Sequence, residues 1–323
     1  HNGEINTFRG NINWARSRDV QYESEALDEI MKDIVPVCNR GVSDSAALDN
    51  MVELYIRNGY APSKALMLLL PEAYNNHPSV ESRPEVFDFY DYYAGRQEAW
   101  DGPANVTFCD GNIVGACLDR NGLRPARYEI THDGMVYFGS EVGSNQVAEG
   151  RVKKRGRLGP GQMFTVDLTT GEMKTNWQIK EEIAKEKPYG EWVKEQRTTL
   201  TTDGADGAYL SAPEEPAEET LKQQAAFGIS SEDVSVIIAP MAEGAKEPVF
   251  SMGEDTPLPF LTERPRVMYD YFKQRFAQVT NPAIDSLREG VVMSLDTYLG
   301  AKGNLLVEVP EHANQIKVSS PVL

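Results

Sequence analysis

The spacing of the apolar residues changes near residue 100, and this change constrains the fold more than any other feature of the chain. Between residues 43 and 97, apolar side chains recur at intervals of three and four, the spacing of one face of a helix. Between residues 104 and 168 they form short runs separated by Asp-Gly and Gly-Pro-Gly turns, as in antiparallel strands. The sequence therefore predicts an α+β fold.

Individual elements follow from these patterns. The predicted helices span from Ser43 or Ser45 to Asn58, with Gly59 as the stop, then 62–70, 84–97 and, further on, 264–279. The predicted strands are two hairpins, 104–109 with 113–118 and 126–130 with 135–138, then 162–168 and 234–239. We expect the first five strands to form one antiparallel meander. Residues 6–20 predict a short helix or an ordered loop with Trp14 half-buried.

The composition indicates a boundary in the second half of the chain. A length of 323 residues suits two domains. Residues 198–204 and 213–219 are rich in Thr, Gly, Pro and Glu, which is typical of a solvated linker. We therefore predict a first domain over 1–192, a linker over 193–230 and a second domain over 231–323.

The charge balance argues against two classes of partner. The chain has 49 acidic and 32 basic side chains, a net charge of −17. An acidic surface repels nucleic-acid backbones and anionic membranes, so we expect neither as a partner. Residues 66–70 are the longest rich apolar patch, far below the length of about 18 residues that a membrane span needs. The one basic cluster, residues 153–157, predicts a solvated or salt-bridged surface.

The cysteines and histidines predict no metal site within the chain. Cys38, Cys109 and Cys117 are too scattered for a disulfide framework or an iron–sulfur cluster, and buried, inert, reduced thiols are the expected state. The histidines lack metal-ligand spacing. These features favour a soluble cytoplasmic protein, or a plastid one if the source is a plant or an alga.

Two short motifs carry candidate chemistry. In residues 1–6, the side-chain amide of Asn2 and the backbone N–H of Gly3 can both donate to an oxygen that becomes negative during attack on an amide. In residues 41–45, Asp44 opens a helix, where the helix dipole favours a carboxylate that can receive an ammonium group. Each motif has a plainer interpretation, a tight Asn-Gly turn and an ordinary helix-start charge.

Together these motifs resemble class II glutamine amidotransferases, and specifically the large chain of glutamate synthase. The resemblance implies that Asn2 and Gly3 form an oxyanion hole and that Asp44 holds the α-amino group of glutamine. The loop Asp119-Arg120-Asn121-Gly122-Leu123-Arg124-Pro125 also fits this pattern. We assign that loop a structural role, because Arg often pairs with buried carboxylates.

A second, longer run, over residues 248–258 and 269–285, looks like the start of the glutamate synthase central domain. The resemblance then implies part of an N-terminal-nucleophile αββα sandwich followed by the beginning of a second α/β domain. It also implies an intact enzyme that hydrolyses glutamine and uses the ammonia to convert 2-oxoglutarate into glutamate. FMN and an iron–sulfur cluster are expected in that intact protein and no cofactor in this chain. The electron donor is left open between an NAD(P)H-dependent subunit and ferredoxin.

Because the chain opens on His1 inside a motif, we expect it to be a piece of a longer protein. The resemblance places the nucleophilic cysteine, and an Arg for the substrate carboxylate, before this segment, so we expect the piece alone to be inactive. Two alternatives stay open, another class II glutamine-dependent amidotransferase and a non-catalytic glutamine-binding scaffold. The run at 248–285 argues against the first. A cysteine at the N-terminus of the longer mature protein would argue against the second.

Overall fold

The structure is a computed structural model that describes residues 2–141, 143–200, 217–244, 248, 257–272 and 289–319. The chain divides into two compact units, one formed by residues 1–205 with 287–323 and the other by residues 206–286. The first unit combines helices with antiparallel sheets, which confirms the predicted α+β class. The boundaries proposed at 192 and 231 stay predictions.

The helices of the first unit pack their apolar faces around one core. In chain order they are α1 Phe8–Arg18, α2 Met31–Ile34, α3 Asp44–Arg57, α4 Pro62–Leu69, α5 Pro78–Glu81, α6 Pro84–Tyr93, α7 Asn176–Ala184 and α8 Tyr189–Gln196. The predicted helices at 43–58, 62–70 and 84–97 are confirmed within a few residues. The Ser43 hydroxyl accepts a hydrogen bond from the Ala46 amide and so caps α3. Gly59, at φ +96°, follows its end.

The strands lie in separate sheets, so the single predicted meander is wrong. The strands of the first unit are β1 Asn2–Gly3, β2 Ala104–Cys109, β3 Ile113–Leu118, β4 Arg127–Thr131, β5 Val136–Gly139, β6 Val152–Arg157, β7 Met163–Asp167, β8 Met173–Lys174 and β9 Thr198–Leu200. One sheet has the order β1-β2-β3-β7-β8 and another the order β5-β4-β6. The loop after β3 carries the chain from the first sheet to the second. Both predicted hairpins nevertheless form.

Residues 289–319, here called the return segment, pack against helices of the first unit. They contain α11 Gly290–Met293, β10 Thr297–Leu299 and β11 Ile316–Val318. The Glu308 carboxylate lies 2.8 Å from the Nζ of Lys64, a side chain that is 3% exposed. Strand β11 pairs in parallel with β9, so the beginning of the predicted linker is part of a sheet. Residues 201–216 of that linker lie outside the described residues.

The second unit is helical where it is described. It contains α9 Ala217–Ala226 and a wide helical turn, Asp233–Ile238, that continues into α10 Ala239–Gly244. The predicted strand at 234–239 is therefore wrong. The Ser230 and Asp233 side chains cap each other's amides at 2.8 and 3.2 Å, which starts a helix before the apolar run. Of the predicted helix at 264–279, Met268–Phe272 forms a 3-10 turn and residues 273–279 lie outside the described ranges.

Two side chains are more exposed than predicted. Trp14 is 44% exposed because its indole ring lies on the surface of α1, under the Lys302 ammonium at 4.1 Å. Cys109 ends β2 on its outer face and is exposed, whereas Cys38 and Cys117 are buried as predicted. The basic cluster is a salt-bridged surface strand, as predicted, since Arg155 pairs with Glu129 and Glu149. Within the ranges described, the helices are all too short or too polar to cross a membrane.

Removing the buried cation Lys180 should destabilise the first unit strongly. Its ammonium contacts the Glu72 carboxylate, and the two side chains are 1% and 4% exposed. Lys180→Met leaves that carboxylate buried with only the His77 ring beside it, 3.5 Å away, so the free energy of unfolding in urea should fall by about 3 to 5 kcal/mol. Lys174→Met, which breaks an exposed pair with Glu182, is the matched control and should cost about 1 kcal/mol or less. Equal losses in the two variants would contradict the prediction.

Candidate functional site

The Asn2-Gly3 motif lies on a strand at the edge of the first sheet. Asn2 lies opposite Asn105 and Gly3 opposite Ala104, and of the described strands β1 is the outermost. The ladder continues beyond β1, since the Glu4 amide donates to the Pro103 carbonyl at 3.0 Å and the Asn6 amide to the Asp101 carbonyl at 2.6 Å.

Residues 2–6 therefore present alternate amides to opposite sides. Because Glu4 and Asn6 point their N–H groups at residues 101–103, the N–H groups of Gly3 and Ile5 point the other way. The amide of Gly3 thus faces outward from the sheet edge. A donor in this position is available to a group outside the sheet.

Asp44 lies on that same outward side. Its Oδ2 atom accepts a hydrogen bond from the Ile5 amide at 2.7 Å, and its Oδ1 atom accepts one from the Ser45 amide at 2.7 Å. The structure therefore brings the two sequence motifs together, with Asp44 two residues along the strand from Gly3. The carboxylate is half-buried at the first turn of α3.

Two glycines allow residues 2–6, here called the motif strand, to approach the neighbouring segment closely. Gly3 has φ +144°, and a Cβ atom there would lie 1.8 Å from the Pro103 carbonyl oxygen. Gly102 has φ +150°, and a Cβ atom there would lie 2.0 Å from the Glu4 carbonyl oxygen. Neither position has space for a side chain, so glycine is required on both strands.

The loop after β3 holds the far side of this arrangement. The Asp119 carboxylate accepts hydrogen bonds from the Ala104 amide and the Asn121 amide, both at 3.0 Å. Burial raises the pKa of Asp119, and bonds from backbone amides oppose that rise. The Arg120 guanidinium, which is buried, lies 2.8 Å from the Asp101 carboxylate and also pairs with Glu289. The predicted structural role of this loop is confirmed.

Sequence reasoning missed Asp101, Gly102 and Glu289. The first two belong to an Asp-Gly-Pro stretch that reads as a simple turn, and an Asp-Gly pair just before a strand was the only available signal. Glu289 lies 169 positions after Arg120, and no local pattern connects them.

The two buried thiols do not suit a nucleophile. Burial raises the pKa of Cys38 and of Cys117 to about 12, so neither is a thiolate at neutral pH. Cys109 is exposed, and its sulfur lies 3.3 Å from the Gly111 amide. In the part of the chain that the structure describes, no three His, Cys, Asp or Glu side chains are grouped to hold a metal ion. These residues therefore do not fit an iron–sulfur cluster.

Adding a single methyl group at Gly3 should disrupt the motif strand. Gly3→Ala forces a Cβ against the Pro103 carbonyl in a backbone conformation that costs about 1 to 3 kcal/mol for other residues, so the free energy of unfolding should fall by at least that amount. Gly10→Ala is the control, because Gly10 lies in α1 with no atom within 4 Å of an added Cβ. That variant should be neutral or about 0.5 to 1 kcal/mol more stable. If Gly3→Ala and Gly10→Ala have similar free energies of unfolding in urea, the prediction is wrong and the two strands tolerate a wider separation.

The chain is similar to known proteins along its whole length. Residues 1–192 match the family model for class-II glutamine amidotransferases, and residues 222–323 match the model for the glutamate synthase central domain. The ferredoxin-dependent glutamate synthase 2, chloroplastic, of Arabidopsis thaliana is 52% identical over 324 residues, which cover 100% of this chain and 20% of the relative. The ferredoxin-dependent glutamate synthase 2 of Synechocystis sp. is 51% identical, over 100% of this chain and 21% of its own length.

The chain spans about a fifth of the length of the curated relatives it matches. The first match covers the motif strand, α3 and the loop after β3, and the second covers the return segment. Both matches and the relatives point to one family. The chain belongs to the class-II glutamine amidotransferases and, within them, to the glutamate synthases.

Proposed function

We propose that this chain supplies the oxyanion donors and the ammonium-binding carboxylate for glutamine hydrolysis in a glutamate synthase. The observation that carries the proposal is the shared orientation of Gly3 and Asp44. The Gly3 amide points to the side of the motif strand on which Asp44 accepts a hydrogen bond from Ile5. The Gly3 amide, a donor for a developing anion, and the Asp44 carboxylate, which can bind a cation, therefore lie about two residues apart on one side of the strand.

The chemistry assigns each group a task. When a nucleophile attacks the side-chain carbonyl of glutamine, the carbonyl oxygen becomes negative and the carbon tetrahedral. The Asn2 side-chain amide and the Gly3 backbone amide donate to that oxygen, and they act most strongly once its charge has developed. We place the attacking thiolate in the longer protein, because burial keeps Cys38 and Cys117 protonated and Cys109 lies at the other end of β2 from Ala104, the residue opposite Gly3.

Asp44 serves recognition of the substrate in this proposal. Its carboxylate lies at the first turn of α3, where the helix dipole favours the negative charge. Each of its oxygens already accepts one backbone amide, and a carboxylate oxygen has a second lone pair for an ammonium group. The same hydrogen bonds fix the carboxylate in place before glutamine arrives.

The rest of the reaction belongs to the longer protein. There, ammonia released from glutamine is combined with 2-oxoglutarate under reduction to give glutamate. FMN and an iron–sulfur cluster supply the redox chemistry, held by residues other than these. Ferredoxin is the proposed electron donor, since the relatives are named ferredoxin-dependent, and nothing favours an NAD(P)H-dependent subunit. A plastid location fits the chloroplastic relatives.

The fold proposal is an incomplete N-terminal-nucleophile αββα sandwich over 1–192, a linker over 193–230 and the start of a second α/β domain over 231–323. Two sheets in the first segment, with helices such as α3, α4 and α6 packed in the same unit, support it. Nothing favours a different class II transferase over this proposal, because residues 222–323 match the glutamate synthase central domain.

Replacing Asn2 in the full-length protein tests the oxyanion role. Asn2→Ala removes one donor, so kcat for glutamine hydrolysis should fall roughly 10²- to 10³-fold, about 3 to 4 kcal/mol, while KM changes much less. Asn2→Asp should be as slow or slower, because it places a negative charge beside the developing anion. A loss below about fivefold in a folded Asn2→Ala enzyme would leave only the turn interpretation of the motif.

Replacing Asp44 by Asn separates charge from structure. Asn still accepts a hydrogen bond from the Ile5 amide but cannot neutralise an ammonium group, so KM for glutamine should rise, at a cost of about 2 to 5 kcal/mol of binding. Ser43→Ala is the matched control. It removes the cap of α3, costing about 1 kcal/mol of stability, and should leave KM unchanged. An unchanged KM in Asp44→Asn would reduce Asp44 to a helix-start residue.

A further inference from the structure

One carboxylate of the return segment reaches the loop that supports the motif strand. Glu289 immediately precedes α11, and its side chain is 16% exposed. One of its oxygens pairs with the Arg120 guanidinium, and the other accepts a hydrogen bond from the Asn121 side-chain amide at 3.2 Å. Glu289 lies in the stretch that matches the central domain, and Arg120 in the stretch that matches the amidotransferase. A buried ion pair therefore joins the two matched regions inside one compact unit.

Arg120 connects Glu289 to the motif strand through Asp101. The guanidinium binds both oxygens of the Asp101 carboxylate, at 2.8 and 3.3 Å. The carbonyl of the same residue accepts the amides of Asn6 and Thr7 at 2.6 and 3.2 Å, and its amide donates to the Thr7 hydroxyl at 2.9 Å. The backbone of Asp101 thus holds Asn6 and Thr7, three and four residues after Gly3, while its side chain is held by Arg120.

A second path runs through the neighbouring loop residue. Asp119 accepts a hydrogen bond from the amide of Ala104, the residue opposite Gly3 in the sheet. Fixing Arg120 and Asn121 against Glu289 therefore also fixes Asp119 against β2. Both paths end on the strand pair that presents the two proposed oxyanion donors.

The charges make this arrangement depend on Arg120 and Glu289 together. One guanidinium, 3% exposed, lies between two carboxylates in a poorly solvated region. Burial raises the pKa of Asp101, Arg120 lowers it, and the Glu289 carboxylate raises it. Removing Glu289 frees Arg120 to move wholly onto Asp101. Removing Arg120 leaves two carboxylates facing each other, which drives them apart.

We propose that Arg120 and Glu289 are positioning residues for glutamine hydrolysis, through which the return segment sets the position of the Asn2-Gly3 strand. The inference rests on the proposed function of Asn2 and Gly3. It adds that the amidotransferase site is complete only when Glu289 is seated on the loop after β3. Arg120 and Glu289 touch no reacting atom and act through Asp101 and Asp119.

Steady-state glutamine hydrolysis by the full-length protein tests the proposal. Glu289→Ala should lower kcat about 10- to 100-fold and change KM less than about threefold, because a displaced donor strand weakens transition-state contacts more than substrate binding. Arg120→Met should do the same. Glu289→Gln, whose one carbonyl oxygen can still accept a hydrogen bond from Arg120, should retain more activity than Glu289→Ala. Arg155→Met, which breaks the surface pairs of β6, is the matched control and should leave kcat unchanged.

A double mutant separates positioning from general damage. In an Asn2→Ala background one of the two positioned donors is already gone, so adding Glu289→Ala should lower kcat by a smaller factor than it does in the unaltered enzyme. Independent effects that multiply in the double mutant would overturn the proposal. So would a kcat for Glu289→Ala within about threefold of the unaltered enzyme.

Synthesis from added ammonia, measured on the same samples, reports folding of the rest of the protein and should be unaffected by Glu289→Ala. If Arg120→Met does not fold, the comparison of Glu289→Ala with Glu289→Gln decides the question. If Asn2→Ala leaves kcat for glutamine hydrolysis unchanged, the proposed function itself is wrong. If Asn2→Ala lowers kcat but Glu289→Ala does not, only the positioning role of Glu289 is wrong.

Discussion

The close approach of two backbone segments at Gly3 and Gly102 is the constraint on which the candidate site depends. With a side chain at either position, residues 2–6 could not reach the carbonyls of Asp101 and Pro103. Without that ladder the alternate amides would have no fixed directions, and Gly3 would not share a side with Asp44. Two missing Cβ atoms therefore determine where the motif's donors point. The hydrogen bonds that Asp44 accepts from Ile5 and Asp119 accepts from Ala104 then hold a geometry that the glycines permit.

Buried cationic side chains join segments that are distant in the sequence. The chain is strongly acidic, yet Lys64, Arg96, Arg120 and Lys180 are all at most 5% exposed. Three of them bind the return segment, through Glu308, Glu289 and the carbonyls of Lys302 and Asn304. An unpaired buried charge is costly, so each pair selects one docking position among the many that apolar contacts alone would tolerate. Electrostatic specificity therefore adds to the apolar packing of the core.

Local patterns predicted most of the helices and strands but not how the strands assemble into sheets. The spacing of Leu48, Met51, Val52 and Tyr55 predicted α3, and Asp-Gly turns predicted both hairpins, because each depends on residues near in sequence. The division into separate sheets depends on the pairing of β3 with β7 across residues 119–162, which the spacing of apolar residues does not encode. The apolar run at 234–239 is short enough to suit either a strand or a helix, and the Ser230–Asp233 cap just before it favours the helix. For the site, Asn2, Gly3 and Asp44 were visible as motifs, whereas Glu289 is joined to Arg120 only through the folded chain.

The parallel pairing of β9 with β11 has a consequence for the order of events during synthesis. Thr198 and Ile316 are partners in that sheet although more than a hundred residues separate them. Strands of this kind cannot pair until the whole intervening chain has been made, which takes on the order of ten seconds at ribosomal speed. Closing so large a loop also carries an entropic cost that local hairpins avoid. The helices and hairpins of the first two hundred residues can therefore form while the chain is still being translated, and the β9-β11 sheet closes last.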